Sequence, residues 1–472
     1  MILLILFVAA LLRWYDLPKM TIFLGEQGRD LIIANDILSG KLTLLGPPTS
    51  ISNVHFGPFY HYFNAFFLFL FGRDPIGPAI GFSLLSIVSV YLIYSTASLL
   101  GHKKAGLIAS SLFAISPWMV EYGRSTFNSF FITSFSAFSL WSLVKFLKTE
   151  KKNQYFFLIL SGIFAGLAVQ ANFLAAGVPL GLVLLLLYKK ISFKKQIFAW
   201  GGLFLAIFPY LAFELRHDFF NFRAFLSLSG EGKAVSFSFL GFLGKIFFNF
   251  SEAVYFSLFY SYPRLLTVLA AAAIAFGVFT VFNKNRKSEF LGLNLFLLFS
   301  GLIVASLYPG QILVHYLGAL YPYIFLLTGI IFEKIILGRL KYLGLFLLAS
   351  LVILNLGKIS FSQKNMPEGW DLEGVRKTSF IIVNDAAGDF NIANLLDGDT
   401  RAYTYRYFVQ LAGKTPKRVE EYPVSDTLYV IGRDTENILN YPVWEISSFL
   451  PAEISKKWAI KNGISLFKLE KL

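Results

Sequence analysis

Gly25-Glu26-Gln27-Gly28-Arg29-Asp30 and, further on, His55-Phe56-Gly57-Pro58-Phe59-Tyr60-His61-Tyr62 form a polar, aromatic passage inside a chain dominated by apolar runs. Glu26, Arg29 and Asp30 crowd one turn just behind the first hydrophobic segment. An ionised side chain beside a bilayer is costly, so such a cluster is either a solvated, self-paired loop or a functional site. The remainder of the chain supplies the context that separates these readings.

Hydrophobic residues make up 56% of the 472, aromatics 18% and charged residues only 15%, with a mean hydropathy of +0.62. This composition predicts an α-helical polytopic membrane protein. The net charge of +14 does not point to nucleic acid, because the lysines and arginines fall in short loops between apolar runs. With no cysteine, a disulfide, a thiolate metal site and a cysteine nucleophile are excluded. Met1 to Leu12 lacks a basic leader and a small-x-small cleavage site and reads as a retained span, with Arg13, Trp14 and Tyr15 at the interface.

Further apolar stretches fall at about 76–100, 104–120, 126–147, 154–171, 172–188, 197–214, 264–282, 290–308, 313–332 and 342–357, giving about eleven spans. The loops at 102–104, 145–152, 189–195, 284–287 and 334–341 are basic and alternate with loops that are not. The positive-inside rule makes the basic ones cytoplasmic. The N-terminus is then inside, and the first exterior loop 16–75, the turn 121–125, a later exterior loop 215–263, the turn 309–312 and the tail beyond Leu356 are outside. Phe56 to Phe71 would break this alternation if it crossed, so it reads as a re-entrant or interfacial helix. Aromatic runs at 219–225 and 237–260 suggest one or two more interfacial helices.

Residues 1–357 thus read as a transmembrane domain and 360–472 as a small exterior α/β domain. In the tail, Phe380 to Val383 and Leu428 to Ile431 read as strands, Asp389 to Leu396 as a helix, and Trp458 to Phe467 as a hairpin about an Asn-Gly turn. No metal-spacing or catalytic pattern occurs there, which suggests a supporting or acceptor-recognising module. No Walker, GxGxxG or HExxH motif and no internal repeat is present.

Four polar features converge on the exterior side: Glu26, Arg29 and Asp30; His55 to Tyr62; Glu121-Tyr122-Gly123-Arg124 with Asn128; and Tyr308-Pro309-Gly310-Gln311 with His315-Tyr316 and Tyr321-Pro322. Their order and spacing resemble the membrane glycosyltransferases of the C-type (GT-C) fold, specifically bacterial relatives of protein O-mannosyltransferases and of the lipid A aminoarabinose transferase. The family's acidic pair followed by a small-residue helix resembles Gly25 to Gly40. Its P-P-L-Y-Y-W element resembles Gly57-Pro58-Phe59-Tyr60-His61-Tyr62, its element after the third span resembles Glu121 to Asn128, and its late R-Y-x-x-x-x-x-P pattern resembles His315 to Pro322. Two positions depart: Gly25 stands where the first acid is usual, so Asp30 is a substitute carboxylate, and His55 stands nearest the place of a basic residue.

The resemblance implies an inverting glycosyltransferase that moves a sugar from a polyprenyl-phosphate donor to a hydroxyl or amine of a glycan, lipid or protein acceptor, at the exterior face of a prokaryotic cytoplasmic membrane. Glu26 is the first candidate for general base and Asp30 the second. Arg29 and Arg124 are candidate phosphate-stabilising cations, with His55 and His315 behind them. Tyr60, His61, Glu121, Asn128 and Tyr316 complete the substrate-binding candidates. No cofactor is required; a divalent cation held by the carboxylates on the phosphate is chemically possible. Each residue has an ordinary alternative: Arg29 as a partner of the neighbouring acids, Glu121 as a loop charge, His315 as a helix cap, and Tyr60, His61 and Tyr62 as an aromatic belt. A transporter or lipid-carrier flippase would place ionisable groups at mid-span and show repeats. A lipid-linked glycan ligase or polymerase would rely on basic residues of the later loop, Arg216, His217 and Arg223.

Overall fold

The computed structural model describes the whole chain except residues 50–53, 150–152, 225–237, 261, 285–287 and 363–365. Helix α1 (Ile2–Trp14) turns through α2 (Leu17–Met20) into α3 (Gly25–Leu38) and α4 (Phe59–Leu70). The bundle continues through α5 (Ile76–Leu99), α6 (Lys103–Ile115), α7 (Pro117–Tyr122), α8 (Phe131–Lys148), α9 (Gln154–Ala171), α10 (Gly177–Tyr188) and α11 (Phe193–Arg216). It closes with α12 (Phe239–Leu258), α13 (Arg264–Lys284), α14 (Glu289–Leu307), α15 (Tyr321–Leu337) and α16 (Lys341–Leu356). The apolar stretches read from sequence are helical, with 104–120 broken at Ser116 into α6 and α7, and among the described residues six helices are long and apolar enough to cross a membrane on their own. The stretch at 313–332 is divided: a 3-10 turn covers Val314–Leu317, and α15 starts only at Tyr321.

The described parts of the basic loops share one end of the bundle. There Glu289 bridges Lys148 and Lys189 at 2.5 and 3.2 Å, and Glu333 lies 2.8 Å from the His102 ring. Residues 150–152 and 285–287 of the basic loops lie outside the described residues, as does the whole of 225–237, including the end of one aromatic run at 225 and the start of the other at 237. At the opposite end α4, 12 residues and so about 18 Å long, is too short to cross about 30 Å of hydrocarbon. It packs on α3 and α5 and leaves Phe66, Phe69 and Leu70 exposed. α12 lies along this same end. Its Lys245 ammonium donates to the Tyr308 carbonyl and its Asn249 amide to the Ser306 hydroxyl, at the close of α14. Its Leu258 carbonyl accepts from Asn355, at the close of α16. Phe239, Leu240, Leu243, Phe247 and Phe248 of α12 are exposed, the apolar face of an interfacial helix.

The C-terminal region contains α17 (Leu372–Asp385), β1 (Phe390–Asn394), α18 (Tyr403–Leu411), β2 (Thr427–Arg433), α19 (Trp444–Ser447), β3 (Ala452–Lys461) and β4 (Ile464–Lys471). The sheet order is β1-β2-β4-β3, with β1 parallel to β2 and the other pairs antiparallel. The expected strand at Leu428 to Ile431 lies in β2, and Asn462 and Gly463, at φ 52° and 70°, turn the β3–β4 hairpin. Two expectations are reversed. Phe380 to Val383 is helical, because Asp371 caps a helix that starts at Leu372, its Oδ1 accepting the Gly374 N–H at 2.9 Å. That helix buries Val375, Ser379 and Ile382 at helical spacing and exposes Phe380. Asp389 to Leu396 contains a strand, because Phe390 and Ile392 enter one core while Ala393 and Leu395 enter another.

The first of these cores is not confined to the C-terminal region. Phe23, Leu31 and Ala34 around α3, and Ala65 and Leu68 of α4, pack in one cluster with Met366, Trp370, Tyr405 and Tyr407. Phe23 meets the Tyr407 and Phe408 rings edge-on, at 6.3 and 5.9 Å. Tyr407 donates to the Arg73 carbonyl at 2.6 Å and Arg376 pairs with Asp74 at 2.9 Å. Each fully buried aromatic of this kind is worth about 1.5–3 kcal/mol, so the first loop and the C-terminal domain are welded rather than tethered.

Candidate active site

Leu24 is the N-cap of α3, and its N–H is accepted by the Gln27 Oε1 at 3.0 Å, while the Gln27 amide donates to the Thr126 carbonyl at 3.2 Å. Those two bonds fix the register of the helix and tie it to the segment before α8. Glu26 then stands exposed in the first turn, where the helix dipole favours a carboxylate. Asp30, one turn on, is 4% exposed and accepts from Arg29 at 2.9 Å (Nε) and 2.8 Å (Nη2). Burial raises the Asp30 carboxyl to about 7 against the pull of Arg29. Burial opposes charge on Arg29 too, but Asp30 outweighs it and the guanidinium is held above its ordinary value.

The loop facing α3 is stitched down by backbone bonds. The Gly46 N–H donates to the Phe56 carbonyl and the Phe56 N–H to the Pro47 carbonyl, both at 2.9 Å. Gln170, at the end of α9, accepts the Gly57 N–H on its carbonyl and the Phe59 N–H on its side chain. A Cβ at residue 57 would run into the Gln170 side chain, which is why glycine precedes Pro58. The His55 N–H donates to Asn221 at 2.9 Å, and Asn221 in turn donates to the buried Glu214 at 2.6 Å.

Between these elements lies a cavity of about 470 Å³. Glu26, Arg29 and Asp30 form one wall, and Asn128, Asn172, His315 and Tyr316 contribute polar groups from sites far apart in the chain. Phe56, Phe127, Phe173 and Tyr308 supply aromatic surface. Asn128 is fixed by its bond to the Ala171 carbonyl at 2.9 Å, and Asn172 by accepting the Leu174 N–H at 2.9 Å. His315 packs edge-on to Phe127, and burial lowers its ring to about 4, so at neutral pH it is a hydrogen-bonding group rather than a cation. Among the described residues no three His, Asp or Glu side chains gather as a ligand set. Glu26 and Asp30 are the pair beside the cavity that could share a divalent cation with a bound phosphate.

Six of the eleven residues singled out from sequence line this cavity: Glu26, Arg29, Asp30, Asn128, His315 and Tyr316. The other five do not. Arg124 is 5% exposed and directs Nε and Nη2 to the Leu12 carbonyl, at 2.9 and 2.6 Å, and Nη1 to the Ser360 carbonyl at 2.7 Å. It therefore closes the end of α1 and anchors the start of the tail. Tyr60 and His61 are buried in the protein interior, Tyr60 against Phe82 and Phe131, rather than forming an interfacial belt. His55 contributes its backbone to the loop, with Phe56 facing the cavity, and Glu121 sits half-buried on α7 beyond it. Asn172, Ser129, Phe127 and Phe173 were not singled out. An amide at 172 between two apolar stretches is the signal that could have found the first of them. Arg216, His217 and Arg223 are exposed and none lines the cavity.

The protein has the GT-C fold of membrane glycosyltransferases. A family model described as dolichyl-phosphate-mannose-protein mannosyltransferase matches residues 55–213. Among solved structures, ArnT from Cupriavidus metallidurans bound to undecaprenyl phosphate superposes with a TM-score of 0.65 at 10% identity, covering 99% of this chain and 97% of that one. The same protein in the apo state gives the same values. The Archaeoglobus fulgidus oligosaccharyltransferase, in complex with zinc and sulfate, gives 0.51 at 14% identity over 91% of this chain and 67% of that one. A search of curated proteins finds no significant match.

Proposed function

We propose that this protein is an inverting glycosyltransferase that moves a sugar from a polyprenyl-phosphate donor to an acceptor hydroxyl or amine. The observation that carries the reading is the single cavity in which Glu26, Arg29 and Asp30 meet Asn128, Asn172 and His315 at one end of an apolar bundle. The Glu26 carboxylate takes the acceptor proton as the acceptor oxygen or nitrogen bonds to the anomeric carbon. The anomeric C–O bond to the lipid phosphate breaks, and the departing phosphate takes the electron pair. Arg29, whose Nε and Nη2 are held by Asp30, turns its remaining N–H groups to that growing charge. Attack on the side opposite the leaving phosphate inverts the anomeric centre. Asn128 and Asn172 offer amides to sugar hydroxyls, and the aromatic wall offers flat faces to the ring.

The matched mannosyltransferase family model and the undecaprenyl-phosphate-bound relative of the same fold favour a lipid-phosphate sugar donor. The positive-inside rule supports a cytoplasmic basic end, and with it a cavity and C-terminal domain on the exterior side of a prokaryotic cytoplasmic membrane. The acceptor is a glycan, lipid or protein that reaches that side. Incubating the purified protein with a panel of labelled polyprenyl-phosphate monosaccharides tests the reading: label leaves one donor for a second product if it holds, and stays on every donor if it fails. The ligase alternative, which needs the basic residues of the later loop, loses support from their position away from the cavity.

A further inference from the structure

α3 carries the reactive groups, and its start is held by the far end of the chain. Leu24, at the N-cap, offers no side-chain acceptor to the free N–H groups of the first turn. The Gly25 N–H faces instead the carboxylate of Asp397, 372 residues away in sequence and in the loop after β1. The Asp397 Oδ1 also accepts the Asp399 N–H at 2.6 Å, so the carboxylate is fixed at its own end. Around it the fit is close. A Cβ at Gly25 would lie 2.5 Å from the Asp399 Cβ, and one at Gly28 would run into the backbone of Tyr403 and Thr404. Arg401 braces Asp399 through both oxygens, at 2.7 and 2.9 Å. The Thr400 hydroxyl donates to Glu445 at 2.7 Å and its carbonyl accepts the Asn394 N–H at 2.9 Å. Gly25 and Gly28 are thus a seat, and the segment 397–404 is the rigid piece that sits in it.

We infer that Asp397 is a positioning residue: its carboxylate caps α3 across the domain boundary and fixes the turn that presents Glu26 and Arg29 to the cavity. An acceptor oxygen at a helix start is the usual means of satisfying those N–H groups, and a negative charge there is further favoured by the helix dipole. Burial raises the Asp397 carboxyl to about 6, so it is ionised at neutral pH. Glu26 is the second residue of α3, so fraying of the first turn displaces it before any other site residue. The C-terminal domain is on this account part of the catalytic apparatus rather than a separate recognition module. The inference rests on the function proposed above.

The test uses the full-length protein in nanodiscs with Asp397→Ala, Asp397→Asn, Asp397→Glu and Glu26→Gln, read by steady-state sugar transfer and by hydrogen exchange of residues 24–31. Asp397→Ala is expected to speed exchange in that window roughly fivefold and to lower kcat about tenfold, while donor KM and exchange across α8 stay put. Asp397→Asn, which retains an acceptor oxygen, restores both. Where the alanine variant does not accumulate, Asp397→Glu, whose acceptor is displaced by one methylene, is expected to show an intermediate loss. Unchanged exchange and full kcat in Asp397→Ala or Asp397→Glu, with Glu26→Gln inactive, overturn the inference alone. Full transfer by Glu26→Gln overturns the proposed function, and the exchange result then judges the cap by itself.

Discussion

Replacing Asp30 by asparagine removes a charge without changing shape, and the structure says what should follow. Asp30 is 4% exposed and is the carboxylate to which Arg29 presents both Nε and Nη2. Burial raises its carboxyl to about 7. Only the ionised form grips Nε and Nη2 firmly and so keeps the remaining N–H groups of Arg29 at the cavity. With a midpoint near 7, the ionised fraction at pH 6 is about one tenth, so kcat/KM in the wild type should fall about tenfold per unit below pH 7. Asp30→Asn should abolish that acid limb and lower the plateau by about 10²-fold, the usual scale for weakening one transition-state charge contact. The assay is transfer of labelled sugar from the best polyprenyl-phosphate donor between pH 5.5 and 8.5. A wild-type profile flat over that range, or an acid limb that survives in Asp30→Asn, would refute the reasoning. The same shift bears on stability, with a definite sign. Because the folded-state carboxyl lies above its unfolded value, its favourable contribution is present below about pH 4 and is lost as pH rises through about 7. Up to about 4 kcal/mol is at stake, and Asp30→Asn should flatten the dependence of Tm on pH across that window.

Arg124→Ala should lower Tm sharply, because three backbone carbonyl contacts at two chain junctions are lost, yet leave donor KM within twofold; a large rise in KM would return Arg124 to the phosphate site. Gly57→Ala should cost more than about 2 kcal/mol, since its Cβ meets the Gln170 side chain; a Tm equal to wild type would contradict the loop geometry. Joint replacement of Arg216, His217 and Arg223 by alanine should leave transfer within twofold; loss of activity there with Glu26→Gln unaffected would favour the ligase reading.

The membrane part was legible because lipid imposes a severe rule: a spanning segment must be apolar and satisfy its own backbone. The helices from α5 to α11 and from α13 to α16 accordingly fall on the apolar runs, and the described parts of the lysine loops sort to one end. The C-terminal domain obeys no such rule. Phe380-Ile381-Ile382-Val383 has strand-forming residues, and only the cap at Asp371, nine residues earlier, reveals the helix. Asp389 resembles a helix start, but β1 follows because its two faces must enter two cores, a tertiary fact absent from local sequence. At the site, Glu26, Arg29 and Asp30 were visible as charges with no apolar excuse. Arg124 was equally conspicuous and serves another purpose, since sequence shows that a buried guanidinium needs partners but not whether they are carbonyls or a phosphate. The union of α3 with residues 397–404 was invisible for a simpler reason: nothing local to Gly25 names Asp399 as its neighbour.

The central claim is tested most directly by comparing wild type with Glu26→Gln for transfer of sugar from a polyprenyl-phosphate donor, with thermal unfolding confirming that both are folded. The account predicts transfer by the wild type and a loss of at least 10²-fold in kcat for Glu26→Gln, the scale of a missing general base, at unchanged Tm. Equal turnover by the two folded proteins would contradict it.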